Sequence, residues 1–153
     1  MNIIVRSREI IRDVVLSMRH LIYTKFYKMD IKKGALIAYG AFLDKSNPTG
    51  IHIDEETYIA SGVRILAHDF STARIQQQTG QFKKSVHIGK KCFIGVNAII
   101  MPGIRIGDSV VVGSGAVVTK DVPSNCIVAG NPAKIIKTGI KTIKYGMISE
   151  IAQ

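Results

Sequence analysis

Histidine is the residue type in this sequence that most readily suggests acid–base chemistry, because a neutral imidazole can accept a proton near physiological pH. The chain has four histidines: His20, His52, His68 and His87. His68 stands in the segment Ile-Leu-Ala-His-Asp, at the start of a polar stretch from Asp69 to Ser85 that contains three consecutive glutamines. Long polar interruptions of this kind are usually functional, so His68 is the first candidate for a general base.

The cysteines and the N-terminus bear on the cellular compartment. Cys92 and Cys126 have no partner at metal-ligand spacing, and two widely separated cysteines do not form a disulfide framework. They are typical of small apolar side chains in a reducing compartment. Charges such as Arg12 and Asp13 interrupt the N-terminal apolar residues, which excludes a secretory signal and a membrane span. We therefore expect a cytoplasmic protein without a metal site.

Charge alone indicates only that the partners are anionic. The chain of 153 residues has the length of one domain, and its formal net charge is +10. Such a charge attracts phosphate-bearing ligands, nucleic acids and anionic membranes alike. The 21 Lys and Arg residues are spread along the chain without a basic block of five or more. We therefore predict no nucleic-acid partner.

A six-residue period indicates the fold. Aliphatic residues recur at this spacing without a slip, and a small or β-branched residue follows four positions after each of them. A helix would repeat at three and four, and a plain strand at two. A period of six is what a short strand plus a corner gives when stacked turns form a triangular prism of parallel strands. The aliphatic positions of the longest run are Ile88, Ile94, Ile100, Ile106, Val112 and Val118.

The positions of the histidines relative to this repeat distinguish them. Two shorter runs, Ile31–Leu43 and Ile53–Ile65, extend the period upstream out of phase with each other. His68 comes where the second run is abandoned, and such local irregularity is typical of functional sites. His52 and His87 each directly precede a repeat-phase aliphatic residue, so we expect both on the outer surface of the prism in a structural role.

Three stretches of the sequence resemble the hexapeptide-repeat acyltransferases, most closely the branch of maltose, galactoside and capsular-polysaccharide O-acetyltransferases. They are I-G-K-K-C-F-I-G-V-N-A-I-I-M-P-G from Ile88, V-G-S-G-A-V-V-T-K-D-V-P from Val112 and A-G-N-P-A-K-I-I-K from Ala129. The resemblance extends from Ile31 to Lys137. It implies an all-β fold, a left-handed parallel β-helix of about five turns. It also implies a homotrimer with sites at subunit interfaces, and acetyl-CoA as co-substrate without a metal.

The same resemblance implies a catalytic role for His68. The imidazole would take the proton of an acceptor hydroxyl while the oxygen attacks the acetyl thioester, with no covalent acetyl-enzyme. Asp69 or a backbone carbonyl would orient the imidazole, and backbone N–H groups of a neighbouring turn would hold the oxyanion. Asp44 and Asn47 match the acceptor side of the family's site, and Asp69 is predicted with them as an acceptor contact. The stretch L-D-K-S-N-P-T-G-I-H-I resembles acetyltransferases of polysaccharide gene clusters, which implies a sugar hydroxyl on a glycan precursor.

The resemblance implies a second set of residues for coenzyme A. Gly95, Gly113 and Gly115 would let the ligand lie against the backbone. Lysines stand at the positions near the phosphates where the family often has arginine, which can form two parallel hydrogen bonds to a phosphate. The positions implied for coenzyme A are Val96, Ser114, Thr119, Lys120, Lys134 and Lys137.

The sequence divides into three segments: an N-terminal helical segment (1–30), the β-helix domain (31–137) and a C-terminal tail (138–153). Residues 9–28 have apolar positions at helical spacing. This basic helix is predicted to cover the open end of the prism, with peripheral contact to a membrane as the functional alternative. The loop Asp44–Gly50 has Asn-Pro and Gly turn signals. We interpret the tail as a packing segment without chemistry.

Several other functions remain as alternatives. The same chemistry on nitrogen would give an amino-sugar N-acetyltransferase or a xenobiotic acetyltransferase. A γ-type carbonic anhydrase, also a left-handed prism, needs three His ligands, whereas His68 and His87 are 19 residues apart without a neighbouring third. A basic scaffold or binding protein would leave the Thr119-Lys120 pair and the G-N-P-A-K-I-I-K stretch without an evident purpose.

Overall fold

Short strands separated by tight corners form stacked turns of a three-sided prism. The computed structural model describes residues 14–69 and 82–151. The first turn contains β1 (Asp30–Ile31), β2 (Leu36–Ile37) and β3 (Phe42–Leu43); the second β4 (Ile51–Ile53), β5 (Tyr58–Ile59) and β6 (Arg64–Ile65); the third β7 (Val86–Ile88), β8 (Phe93–Ile94) and β9 (Ile99–Ile100); the fourth β10 (Arg105–Ile106), β11 (Val111–Val112) and β12 (Val117–Val118). A fifth turn begins at Val122, which bridges to Ile106, and continues into β13 (Cys126–Ala129).

The turns stack as three sheets, one on each face of the prism. The first face has the order β1-β4-β7-β10, the third face the order β12-β9-β6-β3, and all of their pairings are parallel. The second face continues through β13 to β14 (Lys134–Thr138), which returns antiparallel to β13. The chain thus has the predicted left-handed parallel β-helix fold. The predicted boundary after Lys137 falls inside a strand, because the β13–β14 pairing continues to Thr138.

The interior of the prism is a continuous apolar column. Every aliphatic residue of the six-residue period in the long run is buried, and so is every small or β-branched residue four positions later. Corner residues next to the small positions have a left-handed backbone, with φ of 57° at Asn97, 54° at Ser109 and 70° at Gly115. The aliphatic side chains therefore point into the prism, and the backbone turns around them at the corners. This confirms the interpretation of the six-residue period.

Two segments outside the prism pack against its second face and its first turn. The N-terminal helix, defined here as residues 14–26, ends in a π-helical turn, Ile22–Phe26. Tyr23 and Met29 belong to the buried core cluster, so this end of the helix covers the first turn. The C-terminal hairpin consists of β15 (Ile140–Thr142), a 3₁₀ turn (Lys144–Gly146) and β16 (Ile148–Ile151). No helix within the described ranges is both long and apolar enough to cross a membrane.

Candidate functional site

His68 lies just after β6, at the corner between the third and first faces, where the repeat stops. A short antiparallel ladder fixes the backbone on both sides of the predicted loop. His68 pairs with Lys83, Asp69 donates its backbone N–H to Phe82 O at 2.8 Å, and Lys84 donates to Ala67 O at 2.9 Å. Within the predicted interruption from Asp69 to Ser85, residues 70–81 lie outside the described residues. The ladder therefore holds the histidine backbone in place at the base of the loop.

Asp44 is the carboxylate that contacts His68. It follows β3, one turn below the end of β6, and its side chain is 1% exposed. Its Oδ2 receives a hydrogen bond from the Ala67 backbone N–H at 2.9 Å and a short hydrogen bond from Nδ1 of His68, while Oδ1 accepts from the Ser46 N–H at 2.9 Å. Burial by itself would raise the pKa of Asp44, but these three hydrogen bonds together hold it below its ordinary value. The carboxylate is therefore ionised at neutral pH.

An ionised acceptor at Nδ1 determines which form of the imidazole is present. Because a carboxylate can only accept hydrogen bonds, the proton of neutral His68 lies on Nδ1 and the lone pair lies on Nε2. The His68 side chain is partly exposed, at 28%. This is the tautomer that general-base chemistry requires.

Asn47 supports the same segment from the predicted loop. Its side-chain N–H donates to the backbone carbonyl of Ala67 at 2.9 Å, and the side chain is 5% exposed. The acceptor contact predicted for Asp44 and Asn47 stays a prediction. In the structure, their buried polar atoms bind residues 46, 67 and 68. Sequence reasoning missed these contacts because it assigned both residues only to the loop Asp44–Gly50.

Asp69 was predicted as an acceptor contact and, with a backbone carbonyl as the alternative, as the group that orients His68. Its side chain is 28% exposed and lies 3.9 Å from Nζ of Lys84. In the structure, Nδ1 of His68 contacts Asp44 rather than Asp69. A buried carboxylate holds one geometry more firmly than an exposed one, which makes Asp44 the candidate for the orienting group.

His52 and His87 occupy the outer surface of the first face, as their sequence positions predict. Their strands pair in parallel with the two residues in register, and the rings stack with centroids 4.2 Å apart and 1° between planes. Nδ1 of His52 lies 3.3 Å from Asp30 Oδ2. Burial, followed by the charges of His52 and Arg105, lowers the pKa of His87 below its ordinary value of 6.5. Neither ring lies at the corner that holds His68.

The residues predicted for coenzyme A are all exposed, and they fall at two corners of the prism and on strand β14. Val96 and Ser114 lie between the second and third faces on successive turns, where the Gly115 N–H donates to Val96 O at 2.8 Å. Thr119 and Lys120 follow β12 at the corner between the third and first faces, the corner that His68 occupies two turns below. Lys134 and Lys137 lie on exposed β14. The third face therefore separates His68 from Val96 and Ser114 in one chain.

The repeat and its relatives identify the family. Residues 85–120 match the family model described as the hexapeptide repeat of succinyl-transferase. The chain is 35% identical over 123 residues to the candidate acetyltransferase YvoF of Bacillus subtilis (strain 168), and the match covers 80% of this chain and 68% of YvoF. The chain belongs to the hexapeptide-repeat acetyltransferase family.

Two further relatives of this acetyltransferase act on different acceptors by name. Serine acetyltransferase 2 of Arabidopsis thaliana is 37% identical over 114 residues, which are 74% of this chain but only 34% of that relative. The crystal structure of a maltose O-acetyltransferase from Clostridium difficile 630 matches with a TM-score of 0.55 at 28% identity, covering 71% of this chain and 68% of that chain. Acetyl transfer is what these names share.

The cysteines of the acetyltransferase are buried. Burial raises the pKa of the Cys92 thiol to about 12 and also raises that of Cys126. Sγ of Cys92 lies 3.1 Å from the Gly107 carbonyl and 3.4 Å from the Lys90 carbonyl. Such a thiol stays protonated and inaccessible, so it has the properties of a core residue and not those of a nucleophile.

Stacking of the turns gives two of the glycines predicted to face coenzyme A a structural role. A Cβ added to Gly95 would lie 2.6 Å from the backbone N of Ser114, and one added to Gly113 would lie 2.9 Å from Cβ of Ala129. These glycines are required because the next turn stacks directly on them. Gly115, in contrast, has open space around it and a φ of 70°. The corner conformation accounts for this third glycine.

Two grooves are lined by described residues of the acetyltransferase. One of about 1260 Å³ lies between the N-terminal helix and the outer surface of β2, beside Tyr58 and Tyr145. The other, of about 760 Å³, follows the first face past His52 and His87. Among the described residues, the linings do not include His68. Within residues 14–69 and 82–151, no group of three or more His, Cys, Asp or Glu side chains is placed to hold a metal ion.

Proposed function

We propose that this acetyltransferase moves the acetyl group of acetyl-CoA to a hydroxyl of a sugar or polysaccharide precursor, with His68 as the general base. The observation that carries the proposal is the buried Asp44 carboxylate bound to Nδ1 of His68. Because the proton then lies on Nδ1, Nε2 of His68 can act as the proton acceptor at this partly exposed corner. Sugar hydroxyls are poor nucleophiles while protonated, so a positioned base is what this transfer needs.

The chemistry proceeds by direct attack in a ternary complex. Nε2 of His68 takes the hydroxyl proton as the acceptor oxygen bonds to the thioester carbonyl carbon. Asp44 then stabilises the imidazolium through the Nδ1 hydrogen bond, and backbone N–H groups of an adjacent turn hold the oxyanion. The C–S bond breaks as the carbonyl re-forms, and the imidazolium returns its proton to the leaving thiolate. The buried Cys92 thiol, with a pKa of about 12, supports a mechanism without an acetyl-cysteine intermediate.

Exposed residues at the two corners fit the donor. Lys134 and Lys137 offer cations to the phosphates of coenzyme A, and Val96, 45% exposed, offers an apolar contact to its pantetheine arm. Thr119, Lys120 and Ser114 supply hydrogen-bond donors. Because one chain holds these groups on both sides of the third face, the donor would extend from the His68 corner of one copy to the Val96 corner of another. The proposed assembly is accordingly a homotrimer, and light scattering after size exclusion should give three times 16.7 kDa.

The acceptor is chosen by comparing how much of each relative's length this chain covers. The chain covers 68% of the maltose O-acetyltransferase chain but about a third of serine acetyltransferase 2. A sugar hydroxyl is therefore the acceptor we propose, on a glycan precursor in the cytoplasm. The second candidate is the same transfer to nitrogen, on an amino sugar or a xenobiotic amine, since an imidazole base can serve an ammonium group as well.

The test is an acceptor panel with the full chain and acetyl-CoA, in which released thiol is measured. The panel contains maltose, a β-galactoside, glucosamine and L-serine, and mass spectrometry locates the added acetyl group. We expect acetylation of a sugar hydroxyl. Transfer only to the amine of glucosamine would replace the proposal by the second candidate, and transfer only to serine would contradict both. Absence of coenzyme A binding in calorimetry would favour the basic scaffold.

A further inference from the structure

The N-terminal helix leaves most of its apolar side chains exposed. Apolar residues at helical spacing form one stripe, and their exposed fractions range from 41% to 77%. In an ordinary amphipathic helix such a stripe faces the protein core. We name this surface the outer stripe; its members are Val14, Val15, Met18, Leu21, Ile22 and Phe26.

The side that faces the protein is the more polar one. Arg19 donates to the Tyr23 hydroxyl at 3.1 Å, and its guanidinium lies 5.3 Å from the centre of the Tyr39 ring. The ammonium group of Lys45 lies 5.0 Å from the Tyr27 ring. These contacts, together with buried Tyr23, fix the rotation of the helix about its axis. The outward position of the apolar side chains is thus determined by specific contacts on the opposite side.

The charges around the outer stripe are of one sign. Residues 14–29 contain Arg19, Lys25 and Lys28 and no aspartate or glutamate. The exposed side chains of Lys25 and Lys28 flank Phe26, which is 77% exposed. An apolar stripe with a cationic border has the composition of helices that lie in the interface of an anionic bilayer.

We propose that the outer stripe docks the enzyme on an anionic lipid bilayer, with the helix in the plane of the interface. The positive charge around the outer stripe favours an anionic bilayer over a second copy of the chain. If two copies of the stripe packed together, their lysines would repel each other. Val15 and Leu21 also border the groove of about 1260 Å³ between the helix and β2, whereas the other four members of the stripe are not part of its lining. This inference does not depend on the acceptor proposed above.

Flotation with vesicles tests the proposal on the full-length protein. Vesicles of phosphatidylcholine alone are compared with vesicles in which one third of the lipid is phosphatidylglycerol. We expect binding to the anionic vesicles, reduced at least about tenfold in Leu21→Ser/Phe26→Ser because two large side chains lose their burial in the interface. Lys25→Gln and Lys28→Gln should each weaken binding about fivefold. The matched control, Ile143→Ser/Met147→Ser, removes equally exposed apolar groups from the C-terminal hairpin and should bind as the parent does.

A fluorescence reporter keeps the test independent of those variants. The chain has no tryptophan, so Phe26→Trp places a single indole on the outer stripe. Its emission should shift to shorter wavelength with anionic vesicles and stay unchanged with phosphatidylcholine alone.

Three results would overturn the inference. One is the absence of binding and of any emission shift with anionic vesicles. Another is equal binding by the parent and by Leu21→Ser/Phe26→Ser, which would leave only the general attraction of a +10 chain. The third is a loss of assembly mass in that variant by light scattering, which would make the outer stripe a contact between subunits.

Discussion

The regular repeat from Val86 to Val118 and the interrupted corner around His68 use polar and small residues for opposite purposes. In the regular part, each turn pairs with the next in register, and residue identity follows from stacking, as at Gly95. At the corner, the buried side chains of Asp44 and Asn47 hold residues 67 and 68 from the turn below. Repetition alone therefore builds a scaffold, whereas a reactive group needs buried polar contacts that the repeat does not supply.

The largest expected difference between the two regions is in catalysis. His68→Ala should lower kcat by at least about a hundredfold, the usual effect of losing a general base. His87→Ala, in the regular region, should change kcat by less than about twofold because its ring stacks on His52 at the outer surface of the first face and not at that corner. Steady-state kinetics with acetyl-CoA and the preferred acceptor would measure both variants. If kcat fell by a similar factor in His68→Ala and His87→Ala, with unchanged melting temperatures, the assignment of His68 as the base would be contradicted.

The next largest effect concerns the buried carboxylate. In Asp44→Asn, the negative charge is lost, and the amide NH2 faces a donor whichever way it turns: either the Ser46 N–H, or the Ala67 N–H and the Nδ1–H of His68. We expect kcat to fall about tenfold with little change in KM, and stability to fall by about 1–3 kcal/mol. Asn47→Ala should cost less, because the Ala67 carbonyl keeps its hydrogen bond from the Lys84 N–H.

Urea unfolding would measure the stability of the Asp44 and Asn47 variants, and initial rates would measure their kcat. A parental kcat in Asp44→Asn would show that the Asp44–His68 contact does not position the base. The carboxylate should also matter for acid stability. Because the pKa of Asp44 is lowered in the folded state, its contribution is present above its unfolded value and is lost as the pH falls through the folded value.

A third prediction compares two glycines within the regular region. Gly95→Asn should lower stability by about 1–3 kcal/mol, because its Cβ would meet the backbone of the next turn. Gly115→Asn should cost less than about 0.5 kcal/mol, since asparagine tolerates a positive φ. Asn97 already occupies the equivalent corner one turn earlier with a φ of 57°. Thermal unfolding would rank the two variants, and equal losses would mean that stacking does not determine Gly95.

Much of the fold is visible in the sequence because the period of six is a local pattern. It predicted the three faces, the buried aliphatic column and the outward positions of His52 and His87. It also placed His68 at a break in the repeat. Each of these conclusions needs only residues within a few positions of one another, together with the fact that successive turns stack.

The contacts of the candidate site were not visible because they join distant residues. Asp44 and His68 are separated by 24 positions, and the repeat is out of phase between their runs. No register between the Asp44 loop and the end of β6 could therefore be predicted, and the orienting role stayed open between the adjacent Asp69 and a backbone carbonyl. A count of turns through the phase break would have placed Asp44 after β3, directly below the strand that ends at Ile65.

The smallest expected effect tests the histidine stack on the first face. Burial, together with the charges of His52 and Arg105, lowers the pKa of His87, so between its folded pKa and 6.5 the unfolded chain binds more protons than the folded one. This contribution to stability is full above pH 6.5 and decreases as the pH falls below it. His87→Gln should therefore reduce the loss of melting temperature between pH 7.5 and 5.5 by about 2 °C. Asp44 remains ionised throughout that range, so it does not obscure the comparison. An identical pH dependence in the variant would show that His87 titrates in the folded state as it does in the unfolded chain.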